Sequence, residues 1–123
     1  MDKTEQLILF MSQNPIIWDK ENLNSNPAER RKLFQKIADQ LNASVKATQT
    51  NWEKYIWMYR NELKKQIDSE SQGLFFMSDW KYFDMMHFLK PQTLKLIQEG
   101  MLMINHLFNL NQKIIKHNFI NII

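Results

Sequence analysis

Seven residues in one segment recur at a spacing that would gather them on a single helical face. Lys46, Thr50, Lys54, Trp57, Asn61, Lys64 and Lys65 fall within one arc when about 100° separates successive residues. Their chemistry suits nucleic acid. Lysine ammonium groups neutralise phosphate oxygens, and a threonine hydroxyl or an asparagine amide hydrogen-bonds base edges. Glu53 borders the same face and would repel phosphate. A second cationic run, Arg30-Arg31-Lys32 with Lys36, precedes it. Lys32 and Lys36 point outward from a helix drawn over that segment and suit contact with a phosphate backbone. For both faces the plain structural alternative is a solvated, lysine-rich surface. Trp57 is out of place among these polar neighbours. It either packs beneath a later helix or marks an exposed partner site.

Other chemistries find little support. His87, His106 and His117 are far apart in sequence and too little supported by nearby carboxylates, so no metal centre is expected. The chain has no cysteine, no glycine-rich phosphate loop and no nucleophile elbow. The 13 carboxylates form no convincing catalytic pair. The reading is a binding protein without a cofactor, not an enzyme.

The elements that would position these residues are helical. Leu7, Ile8 and Met11 share one face of a first helix over about Lys3 to Gln13, stopped at Asn14-Pro15. Trp18 then lies in an extended exit segment that folds back on the core. Asn26, Pro27 and Glu29 form a start signal for a second helix, whose buried stripe is Leu33, Phe34, Ile37, Ala38 and Leu41. After the break at Asn42-Ala43-Ser44, a third helix runs from about Val45 to Lys65. Val45, Thr48, Trp52, Tyr55, Tyr59 and Leu63 line its buried side. Two helices joined by about three residues make a helix-turn-helix layout. Phe34 and Trp52 are expected to be buried and close together, as heads of adjacent stripes. Asp68 to Gly73 reads as a solvated loop, and Ser78 as the cap of a short fourth helix carrying Trp80, Phe83 and Phe88.

From Thr93 to about Lys116 the apolar pattern changes. Leu94, Ile97, Met101, Ile104, Phe108 and Ile115 keep a three-four spacing, interrupted at Asn111, with further apolar residues beyond one stripe. This segment is either a helix that covers the domain or pairs two copies into a homodimer, or an apolar tail of little specificity. Gly100 argues against a continuous helix by up to about 1 kcal/mol.

The 123 residues suffice for one modest core, and 44% hydrophobic content predicts that it folds. Two glycines and three prolines favour helix over strand and turn. The formal charge of +3 permits a nucleic-acid partner without demanding one. No signal peptide or run of about 20 apolar residues stands out, so the expectation is a soluble intracellular protein with no membrane association.

In this order the blocks resemble the MADF domain, a Myb/SANT-like family of animal regulatory proteins. The resemblance covers about Glu5 to Leu89. Leu7-Ile8, Pro15 and Trp18-Asp19 match its opening pattern. Phe34, Ile37-Ala38 and Leu41 match its second helix, with Phe34 where Trp is usual. Trp52 and Tyr59-Arg60 match its third helix, and Trp80 to Leu89 its closing element. Asn51, Tyr55 and Ile56 stand where the family often has a basic residue and a Leu-Arg pair, so two positive charges are missing. The downstream BESS motif is also absent.

The resemblance, with the apolar spacing beyond Thr93, gives an expected all-α fold: a three-helix Myb-like helix-turn-helix core with a short fourth helix and a C-terminal helix. The domain would occupy residues 3–90, with an apolar C-terminal helix or tail over 91–123. It further implies a nuclear regulator of transcription that binds double-stranded DNA through Lys32, Lys36, Lys46, Thr50, Lys54, Asn61 and Lys64. The alternative is a chromatin-associated protein-interaction module with little DNA binding of its own.

Overall fold

The computed structural model of the chain describes residues 1–22 and 26–100. It is all-α, with no strand among the described residues. Four α-helices come first: α1 (Lys3–Ser12), α2 (Pro15–Trp18), α3 (Pro27–Gln40) and α4 (Val45–Ser71). A 3₁₀ segment, Asp84–Leu89, follows. The chain divides into two compact units, Met1–Lys90 and Pro91–Ile123. Of the second unit only residues 91–100, all helical, are described. The rest of the expected C-terminal helix, and any homodimer through it, lies outside the described residues.

Local chemistry sets the helix boundaries. The Asp2 carboxylate accepts from Glu5 N at 2.7 Å and starts α1. Asn26 Oδ1 accepts from Ala28 N at 2.8 Å with Pro27 behind it, and Ser44 Oγ accepts from Ala47 N at 3.0 Å. α3 ends in a Schellman motif, with Asn42 left-handed at φ 52° and Ala43 N bonded to Ala38 O at 3.0 Å. α4 ends the same way. Gly73 has φ 73°, and its successor Leu74 donates to Ser69 O at 2.9 Å.

Several expectations are corrected. Trp18 sits on the one-turn helix α2, not in an extended exit, because Pro15 supplies a helical φ and its carbonyl accepts from Asp19 N at 2.7 Å. α4 runs to Ser71 rather than stopping near Lys65. The polar stretch from Asp68 contains no breaker before Gly73, so the helix continues through most of what reads as a loop. The fourth element is a 3₁₀ segment that starts at Asp84. Ser78 caps no α-helix; its hydroxyl accepts from Trp80 N at 3.1 Å within an irregular segment.

The core has two aromatic centres. In the first, Phe88 from the 3₁₀ segment lies parallel to Trp52 of α4 at 6.3 Å and tilted against Trp18 at 5.1 Å. Trp18 Nε1 donates to Met11 O at 2.6 Å, which ties this centre to α1. In the second, fully buried Tyr59 packs on Phe83 at 5.5 Å and on His87, whose Nδ1 lies 2.9 Å from the Tyr59 hydroxyl. Aliphatic Leu7, Ile8, Met11, Ile37 and Leu63 fill the remaining interior. The expected pairing of Phe34 with Trp52 is therefore replaced. Trp52 is buried and stacks on Phe88, whereas Phe34 is only half-buried. The second-helix stripe is correspondingly shallow, with Ile37, Ala38 and Leu41 buried and Leu33 half-buried.

Two outcomes follow. Trp52→Ala and Phe88→Ala each cost about 3–5 kcal/mol in urea unfolding, and Phe34→Ala distinctly less. A Phe34→Ala destabilisation equal to that of Trp52→Ala contradicts this core. The second outcome concerns alkali. Burial raises the Tyr59 hydroxyl from its ordinary 10 to about 12. The unfolded chain thus releases this proton first, and the stability it confers is complete below about pH 10 and lost as pH rises towards 12. Melting temperatures measured across that window should fall steeply for the parent. They should fall less for Tyr59→Phe, which leaves the remainder from Tyr82, a hydroxyl also raised, chiefly by its bond to Asp2.

Candidate nucleic-acid interface

α4 turns one side to the core and the other outward. Thr48, Trp52, Tyr59 and Leu63 are buried on its inner side, and that side fixes where the rest must point. Lys46, Thr50, Lys54 and Lys64 are exposed, as is Glu53 among them. On α3, Lys32 and Lys36 are exposed and Arg30 is half-buried. Asn61 is also half-buried, and it lines a cavity with Trp57 and Trp80.

The outward side of α4 divides along its axis. Lys46 and Lys54 are eight residues apart, roughly 12 Å of helix, comparable to the width of a DNA major groove. Lys64 lies roughly 15 Å beyond Lys54. The first half carries Lys46 in its opening turn, with no acidic residue there, so cation and helix dipole reinforce one another. Charge follows the same division. α3 and the first half of α4 carry Arg30, Arg31, Lys32, Lys36, Lys46 and Lys54 against Glu29, Asp39 and Glu53. That excess equals the +3 of the whole chain, so the positive field is concentrated on α3 and the first half of α4.

The second half of α4 is built differently. Trp57 is 61% exposed, so it does not pack beneath the fourth element, and most of the expected C-terminal helix lies outside the described residues. With Met58, Asn61, Glu62, Lys65 and Trp80 it lines a cavity of about 430 Å³. Glu62 accepts from Ser78 Oγ at 2.7 Å and from Lys65 Nζ at 2.9 Å. The Ser78 bond, with Lys65 assisting, holds this carboxyl below its ordinary range. Among the residues of the sequence, Trp57 alone hints at this cavity. Trp80 reads as a core residue of a helix, and Ser78 as its cap, so their meeting with α4 is invisible without the fold.

A separate polar clamp closes the N-terminus. The Asp2 carboxylate accepts from Tyr82 Oη at 2.7 Å and from Lys81 Nζ at 3.3 Å, and Lys81 also reaches Glu5 at 3.4 Å. The Tyr82 bond and the Glu5 amide lower the Asp2 carboxyl to about 2. Among the described residues no His, Asp or Glu cluster can hold a metal ion, and no helix is long and apolar enough to cross a membrane.

With this geometry in place, the comparisons with known proteins give a definite class. Residues 7–89 match the MADF DNA-binding family, described as alcohol dehydrogenase transcription factor Myb/SANT-like. The match spans most of the chain, and the protein belongs to this family. Membership suggests a DNA-binding, transcription-related role. No curated protein and no solved structure matches the chain.

Proposed function

We propose that this protein is a nuclear regulator of transcription that binds double-stranded DNA and carries out no catalysis. The first half of α4 enters the major groove, with Lys46 and Lys54 on phosphates and Thr50 on a base edge. Lys32 and Lys36 of α3 contact the phosphate backbone. The observation that carries this reading is the exposed Lys46–Thr50–Lys54 row on a helix whose opposite side is locked by buried Trp52 and Tyr59. The concentrated charge of α3 and α4 supports it. Asn61 and Lys64 lie roughly 10 and 15 Å beyond Lys54 along the helix and, under this reading, have no share in that contact.

A second reading is a chromatin-associated protein-interaction module. It is favoured by exposed Trp57, by Glu53 within the cationic face, and by uncharged Asn51 and Ile56 where basic residues are common in the family. Fluorescence anisotropy with a random-sequence duplex over a range of salt separates the two. Under the DNA reading, Lys36→Gln, Lys46→Gln and Lys54→Gln each weaken binding and flatten the salt slope by about one unit for each phosphate left unneutralised, while Lys64→Gln changes neither. Absence of parent binding at low salt supports the interaction module instead.

A further inference from the structure

The cavity on the second half of α4 has the makings of a cation site, and nothing in the DNA reading uses it. Trp57 presents a largely exposed indole to one part of its lining, and Trp80 contributes a second indole. Indole faces attract organic cations, more strongly where water is excluded. Glu62, whose side chain is only 17% exposed, shares the lining. It is kept ionised by the Ser78 hydroxyl, so the cavity holds a fixed anion. The Asn61 amide, also in the lining, adds a carbonyl acceptor.

That anion has a weak internal partner. The Lys65 ammonium lies 2.9 Å from Glu62 Oε1, but its side chain is 65% exposed and the pair is an i,i+3 contact on a helix surface. Pairs of this kind contribute little and exchange readily with solvent. Lys65 therefore acts as a displaceable occupant of the Glu62 carboxylate. A cation that reached Glu62 while lying against an indole would add an aromatic interaction that Lys65, on its own helix, does not show.

We propose that this cavity binds an arginine side chain presented by a partner protein. A guanidinium is planar, so it stacks on an indole face while donating in its own plane to Glu62 and Asn61. A lysine ammonium has no flat face to stack and is more strongly hydrated. The site is independent of the groove-facing half of α4. The two surfaces sit at successive levels of one helix, and either can function without the other.

The test uses the full chain and a capped peptide, acetyl-Gly-Gly-Arg-Gly-Gly-amide, followed by NMR of the Trp57 and Trp80 indole N–H signals. The arginine peptide shifts both signals saturably. Its citrulline counterpart, nearly the same shape but neutral, binds about tenfold more weakly, and Trp57→Ala and Glu62→Gln each weaken the arginine peptide by about tenfold. Lys65→Met, which removes the competing ammonium from an exposed position, tightens binding by about threefold. Lys46→Gln/Lys54→Gln leaves it unchanged, whatever that pair does to duplex binding. Equal binding of the arginine and citrulline peptides overturns the proposal, as does weaker binding by Lys65→Met.

Discussion

The ring of Phe88 meets Trp52 on one side and Trp18 on another, and the placement of α4 depends on that contact. Phe88 comes from a six-residue 3₁₀ segment, a poorer hydrogen-bonding geometry than an α-helix, and burial of its side chains Met86 and Leu89 helps to hold it in place. Just before Phe88 in the chain, Phe83 and His87 clasp Tyr59 about two turns further along α4. The two clasps grip the inner side of the helix at Trp52 and at Tyr59. Rotation of α4 about its axis would break both, so its outward residues are fixed by its inward ones.

This constraint explains why function divides along the helix. On α3 and the first half of α4 cations outnumber carboxylates, and Lys46 and Lys54 are exposed. Further along, the irregular segment returning from Gly73 brings Ser78 and Trp80 against α4. There the surface becomes a cavity with an anchored carboxylate. The long α4, ending only at a left-handed glycine, provides both surfaces on one rigid element.

Much of this was legible in the residues because local chemistry decides it. Asn26-Pro27 and Ser44 mark the starts of α3 and α4, and the three-four spacing of Thr48, Trp52, Tyr59 and Leu63 marks the buried side of α4. The family blocks pointed to the right class. What periodicity cannot supply is the partner across the core. Trp52 reads equally well as packing on Phe34 or on Phe88, and only tertiary contact selects the residue 36 positions away. The end of α4 was hidden for a different reason. Polar Asp68 to Gln72 has the composition of a loop, yet a helix persists through polar residues until a terminator such as Gly73 intervenes. The cavity was the least legible feature, since Glu62, Ser78 and Trp80 converge only after the chain reverses.

The central claim is that the first half of α4 is the surface that meets DNA. Backbone amide NMR of the full chain, titrated with a short duplex at low salt, tests it most directly. Shifts are expected to concentrate between Lys46 and Lys54 and around Lys32 and Lys36, while the Trp57 and Trp80 indole signals stay in place. Shifts centred on Trp57 and Trp80, with the first half of α4 silent, would contradict it.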